Sequence, residues 1–180
     1  PRSTPLYSSA ASDVYKRQSL IEDGLVETTS EYEVGGDGNV NRWLHGTGHP
    51  IRVPVVDLAE VSAGGGSSAW IDEVGGLRVG PRSAGSDPGP AGYAAGGTEA
   101  TVTDASVVLG YIDPQNFAGG TLPLDPLAAR QAIELRVAKP LGLTLEEAAL
   151  GIHRVVNAQM AECIRLVSIQ KGSWRSSWKK

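Results

Sequence analysis

The clearest periodicity in the chain lies towards its C-terminal end. Apolar residues recur every three or four positions at Leu145, Ala149, Ile152, Val156, Met160, Cys163 and Val167, the stripe of an amphipathic helix that buries one face. Thr144, followed three residues later by Glu147, is a capping box, so the pattern predicts a helix from Leu145 to about Ile169. Upstream, Asp125 stands as an N-cap before Pro126 at the first helical position, and Leu127–Val137 reads as a second helix that ends before Pro140.

Nearer the N-terminus the period changes. Ser19–Glu27 reads as strand, turn, strand, with Asp23-Gly24 as the hairpin signal and Glu31–Val34 extending it. Residues 35–50 are punctuated by Gly, Asn and Pro and read as a loop. Ile51–Leu58 is rich in β-branched residues and predicts one strand, with Pro54 at an edge or bulge position. Ala69–Ile71 and Leu77–Val79 predict a second hairpin around Glu73–Gly76, and Pro81–Gly97 an ordered but irregular loop. Thr103–Leu109 fits either a short helix capped by Thr103 or a strand, since its periodicity satisfies both. The expected fold class is α/β in the α+β sense, with short strands, glycine-rich loops and a long C-terminal helix.

Composition narrows the function classes. The 23 Gly and 11 Pro show no short repeat, which excludes a collagen-like or low-complexity chain. A formal charge of −4 with no basic stripe argues against nucleic acid as a partner. No apolar run approaches the roughly 20 residues of a membrane-spanning helix. Cys163 is the only cysteine, which rules out an intrachain disulfide and a thiolate zinc cluster, and a reducing cytoplasm is the expected setting. Residues 1–18 have neither periodicity nor the apolar core of a signal peptide, and are expected to be a non-native or disordered leader. Residues 171–180, rich in Ser, Trp and Lys, are expected to be a non-native tail, leaving 19–170 as the domain.

Several residues could carry chemistry. Gly64, Gly65 and Gly66 lead into Ser67 at the mouth of an apolar strand. Three residues without Cβ atoms let backbone N–H groups converge on an anion or reach positive φ, and they equally suit a tight inter-strand connection. The chain lacks GxxxxGK[ST], so this is not a Walker A loop. Asp57, at the end of an apolar strand, can hold a metal, accept a proton or cap a loop. Asp104 can contact a ligand or cap the segment that follows it, and the cap is the favoured reading. His45 and His49 are four apart, but Gly46, Gly48 and Pro50 oppose the helix a metal pair would need, and no metal site is assigned. His153 reads as a boundary residue of the long helix and Cys163 as packing. Ser83 in Pro81-Arg-Ser-Ala-Gly85 misses the G-x-S-x-G nucleophile elbow by its first residue. An amidase reading of Gly-Ser-Ser lacks a partner lysine, with Lys139 and Lys171 far along the chain.

From Val53 to Asp113 the chain resembles the hydantoinase A and 5-oxoprolinase family. The resemblance is carried by Val53, Pro54, Val56 and Asp57, by Ala63–Ser67 with Ala69 and Trp70, and by Leu77–Pro81 with Ser83–Gly85. It continues through Asp87–Pro90, Tyr93, Gly96–Thr98 and Thr101–Ala105, and more weakly from Asp125 to Gln170. Gly92, Ala100 and Ser106 stand where the family often has Cys, Pro and Asn.

The resemblance implies part of an actin, sugar-kinase and Hsp70-like ATPase lobe, and it favours a helix at Thr103–Leu109. It implies that Gly64, Gly65, Gly66 and Ser67 form a ligand- or phosphate-binding loop facing the active cleft; Asp57, just before that turn, is the candidate catalytic carboxylate on its position, with a structural cap as the alternative. The implied parent uses ATP, with Mg, to open a lactam or hydantoin ring in a small cyclic amide, beside a hydantoinase B-type partner subunit or domain. Related subunits serve ketone carboxylases, so the alternative is a structural or interaction lobe with no activity of its own. The family's DxGGTxTD and GGAGP elements are absent. This chain is therefore expected to be a piece of a longer protein, partnered by N- and C-terminal parts of that protein, binding no cofactor and turning over no substrate alone.

Overall fold

The computed structural model describes residues 17–18, 21–22, 24–26, 28–30, 32–34, 49–56, 59–60 and 63–168. They fall into two compact units, one within Ser62–Ala158 and the other within Asp13–Val61 and Gln159–Lys180.

The second unit contains antiparallel two-stranded ladders. β1 (Arg17–Gln18) pairs with β8 (Ala59–Glu60), β4 (Thr28–Thr29) with β7 (Val55–Val56), and β5 (Tyr32–Val34) with β6 (His49–Ile51). These pairings are nested, so the chain runs out along one arm and returns along the other. Between them β2 (Ile21–Glu22) and β3 (Leu25–Val26) close the predicted hairpin, where Gly24 takes a φ of 78° that a side chain would oppose. The single strand expected over Ile51–Leu58 is broken: β6 ends at Ile51 and β7 begins at Val55. Pro54 has no N–H to give the ladder, which accounts for the interruption.

In the first unit, β9 (Ser67–Ile71) and β10 (Leu77–Ser83) form a hairpin longer than its apolar residues suggest. Asp72 makes the turn: its Oδ1 accepts from Val74 N at 3.1 Å and Gly76 N at 2.6 Å, and its Oδ2 from Arg78 Nε at 2.6 Å. These bonds hold its carboxyl below the usual aspartate range, the Gly76 backbone N–H first and the Arg78 side chain next. The register shifts between Val79 and Ser83, where Gly80 has a φ of 68° and its carbonyl accepts from Trp70 Nε1 at 2.9 Å. That irregularity carries β10 through Pro81 to Ser83, residues expected in the loop.

α1 (Val102–Val108) settles the helix-or-strand question in favour of a helix, but its N-cap is Thr101 rather than Thr103. α2 begins at Pro126, capped by Asp125 Oδ1, which accepts from Leu127 N and Ala128 N. It does not stop before Pro140. Pro126–Ile133 passes into a π-helical turn, Glu134–Ala138, and then into Lys139–Leu141, ending at Gly142 with φ 64°. Lys139 N–H reaches back to Glu134 O in the wider π pattern. The register shift lets the helix absorb a proline without an N–H, and the end comes where only glycine readily turns left-handed. α3 (Leu145–Ser168) matches its predicted span to within a residue.

The core joins these helices to the hairpin. Val107, Leu124 and Ala129 pack with Tyr93, Ile112, Phe117 and Leu122. On α3, Ala148, Ala149, Ile152 and Val156 are buried, while a Cβ added at Gly151 would lie 3.2 Å from Leu77 Cδ2 of β10. Glycine there lets the helix approach the hairpin closely.

Candidate functional site

The glycine run forms a β-turn in which Ser67 N donates to Gly64 O at 3.0 Å and Gly64 N to Ser67 Oγ at 2.9 Å. None of Gly64, Gly65 and Gly66 has positive φ. Close approach favours glycine at two of them instead: a Cβ on Gly65 would stand 2.8 Å from Thr103 Oγ1, and one on Gly66 would stand 3.0 Å from Ser83 Oγ, so a neighbouring hydroxyl would have to give way. The turn is pinned from two sides. Thr103 N donates to Gly65 O at 2.8 Å, and Ala84 N and Ser83 Oγ donate to Gly66 O at 2.8 and 3.2 Å. The carbonyls are thus engaged, whereas the adjacent N–H groups of Gly65 and Gly66 meet no protein acceptor among the described residues. Two neighbouring donors on a pinned, half-buried turn are thus left available to an acceptor from outside the described residues. Ser67 is itself buried, and its hydroxyl serves the turn.

Asp104 lies at the other end of this contact, in the first turn of α1. It is fully buried and acts as a cap, as its sequence context implied. Its Oδ2 accepts from Thr101 N at 2.9 Å and Thr101 Oγ1 at 2.7 Å, and its Oδ1 from Gly92 N at 2.7 Å. Burial raises its carboxyl above the usual range against the opposing pull of those donors. A Cβ at Gly92 would come within 3.0 Å of Asp104 Oδ1, so this carboxylate bears directly on one of the positions where the chain departs from the family pattern.

His153 is more than a boundary residue. Its Nε2 lies 3.0 Å from Ser106 Oγ, and its ring meets Tyr111 edge-on at 5.1 Å. Ser106 Oγ already donates to Val102 O at 2.8 Å, so the network assigns the donor role at Nε2 to the imidazole. Burial holds its pKa below the usual histidine value. A serine whose proton is engaged by its own helix is not an activated nucleophile. Cys163 is buried and its thiol is pushed up by burial, in keeping with packing.

Asp57 and His45 lie outside the described residues, and His49 is exposed on β6. No group of three or more metal-ligating side chains occurs among the described residues. No helix among them is long and apolar enough to cross a membrane. The contacts that sequence reasoning missed are those of Thr103, Ser83 and Glu99 around the glycine turn. Each is distant along the chain, and none carries a local signal.

A family model described as hydantoinase/oxoprolinase matches residues 17–179. Among relatives, an uncharacterised protein of Methanocaldococcus jannaschii is 47% identical over 156 residues, covering 87% of this chain and 23% of its own. The caprolactamase subunit alpha of Pseudomonas jessenii is 45% identical, covering 77% of this chain and 20% of its own. The acetophenone carboxylase gamma subunit of Aromatoleum aromaticum is 46% identical, covering 70% and 16%.

Two solved structures are similar in fold and sequence. ATP-dependent caprolactamase from Pseudomonas jessenii superposes with a TM-score of 0.63 at 48% identity, and nucleotide-free acetone carboxylase with 0.64 at 34% identity. Each match covers 68% of this chain and 18% of the other. The chain thus spans less than a quarter of the length of these relatives. With a family match running from Arg17 to Lys179 and solved relatives sharing its mixed helix-and-strand arrangement, the chain belongs to the hydantoinase/oxoprolinase family.

Proposed function

We propose that this chain forms part of an ATP-using subunit that opens a small cyclic amide, and that the Gly64–Gly66 turn contacts the nucleotide phosphates. The observation that carries this reading is the pair of unengaged N–H groups at Gly65 and Gly66, in a chain of the hydantoinase/oxoprolinase family. In this reaction the amide oxygen takes the γ-phosphoryl group from ATP. ADP departs, one water adds to the activated carbon, the ring C–N bond breaks as its nitrogen takes a proton, and a second water releases phosphate from the resulting acyl phosphate. The turn supplies donors already held in place, so binding phosphate oxygens costs little reorganisation. An actin and sugar-kinase-like lobe, with Mg on the phosphates and Asp57 close to the reacting groups, completes the proposal. A partner subunit of the B type and the rest of the longer chain supply the remaining elements.

Similarity to the acetophenone carboxylase gamma subunit favours a second reading. In it this segment is a structural or interaction lobe of a related ketone carboxylase subunit, contributing surface to the assembly and no activity of its own.

A Cβ at Gly65 strikes Thr103 whether or not a ligand binds, so a bulky replacement alone is uninformative. Gly65→Ala and Gly65→Pro, each combined with Thr103→Ala to clear that contact, differ in the N–H itself. Calorimetric titration of ATP into the full-length chain should show the proline variant weaker by about tenfold, as expected for a lost hydrogen bond to a charged group. Equal affinity in the two variants at matched melting temperature would remove the turn from the phosphate site.

A further inference from the structure

We infer that Glu99 is a positioning residue for the glycine turn, an assignment that rests on the nucleotide-binding reading above. Residues 99–103 run beside β9 on the side opposite β10. Ala69 N donates to Ala100 O at 2.7 Å, Ser68 and Thr101 form an isolated antiparallel bridge, and Thr103 N takes Gly65 O. The turn therefore hangs between two flanks, this segment and β10, and each flank holds one of its carbonyls.

Glu99 ties the flanks together. Its Oε2 accepts from Ser68 Oγ, on the buried strand just after the turn, and its Oε1 pairs with Arg82 Nη2 on β10. Ser68 is buried and the Glu99 side chain only 27% exposed, so the contact is largely shielded from solvent. Arg82 is 74% exposed and immediately precedes Ser83, whose hydroxyl reaches Gly66 O. One carboxylate thus links its own segment to β9, just after the glycine turn, and to β10.

The pairing has an electrostatic consequence as well. An unpaired carboxylate next to an anion site would repel its ligand, and Arg82 offsets that charge. Position and charge therefore make opposite predictions. If Glu99 acts by holding the flanks, its loss spreads the turn and weakens ATP binding. If charge alone mattered, its loss would free Arg82 and strengthen binding.

The test is ATP affinity and melting temperature for Glu99→Ala and Glu99→Gln in the full-length chain, assembled with any partner subunit it requires. Glu99→Ala should weaken ATP binding by about tenfold, the scale of one weakened hydrogen bond to the ligand. Glu99→Gln keeps an acceptor for Ser68 and a polar contact for Arg82, and should recover at least half of that loss on a logarithmic scale. Tighter binding in both variants, or unchanged binding in Glu99→Ala, would overturn the assignment. A fall in melting temperature with wild-type affinity would reduce Glu99 to a sheet staple and also overturn it. The Gly65 proline and alanine pair separates the two levels. If those two bind ATP alike, the nucleotide reading fails and Glu99 with it. If they differ while Glu99→Ala binds normally, only the Glu99 assignment fails.

Discussion

Two helices in this chain begin with the same device in opposite surroundings. At the start of α1, Thr101 N and Oγ1 donate to Asp104 Oδ2 at 2.9 and 2.7 Å; at the start of α3, Thr144 N and Oγ1 donate to Glu147 Oε2 at 2.9 and 2.8 Å. The geometry is nearly the same, yet Thr101 and Asp104 are fully buried and Thr144 and Glu147 are exposed. The carboxyls respond in opposite directions. The Thr144 backbone and side-chain donors pull Glu147 below its ordinary range, whereas burial outweighs the donors at Asp104 and raises it. A capping box read from sequence identifies a helix start. Its energetic weight depends on what covers it.

The largest expected effect follows from removing the buried acceptor. Asp104→Ala leaves Gly92 N, Thr101 N and Thr101 Oγ1 without it inside the fold, and should cost about 4 kcal/mol or more by urea unfolding. A loss under about 1 kcal/mol would mean that water replaces the carboxylate and that the two boxes are energetically alike. Next comes Ile152→Ala on the fully buried face of α3, with an expected cost of about 3 kcal/mol. The exposed box of the same helix should matter less: Thr144→Ala should cost about 1 kcal/mol. If Thr144→Ala proved costlier than Ile152→Ala, α3 would be held by its cap rather than by its buried face.

Smaller effects separate the boxes by pH. Glu147 has a depressed folded pKa, so its contribution is present above the unfolded value of about 4.3 and lost as pH falls through the folded one. Asp104 has a raised folded pKa, so its linked contribution is greatest below about 3.9 and is lost as pH rises through the folded value. Carboxyl titration by NMR should place Glu147 below and Asp104 above their ordinary ranges. The same direction for both would undo the comparison. His153 adds a test near neutrality. Its folded pKa is lowered, so stability present above about 6.5 should fall away as pH drops through the folded value. His153→Gln should flatten that part of the stability curve, and an unchanged pH profile would show that the Ser106 contact is not linked to protonation.

Much of the fold was legible where the signal is local. Asp125-Pro126 set the start of α2, Asp23-Gly24 the first hairpin, and Thr144 with Glu147 the start of α3, because each motif involves only residues within a turn of one another. Pro140 shows the limit. Proline usually ends a helix, but a π turn upstream shifts the hydrogen-bond pattern and carries α2 to Leu141. Thr103 was the nearer cap candidate by position, but Thr101 has the extended backbone and receives the Asp104 N–H.

The sequence by itself determined the family, the capped helices, the hairpin turns and the conspicuous glycine run. Only the tertiary structure decided what favours glycine at two of its positions: Thr103 and Ser83 crowd the places of Cβ atoms on Gly65 and Gly66, with no demand for positive φ. It also decided that Gly97 must lack a side chain, since a Cβ there would collide with Gly89 O, and that Glu99 joins Ser68 to Arg82. The physical reason is range. Caps and turns are satisfied by neighbours along the chain, whereas steric room and shared carboxylates depend on segments that meet only once the core has packed.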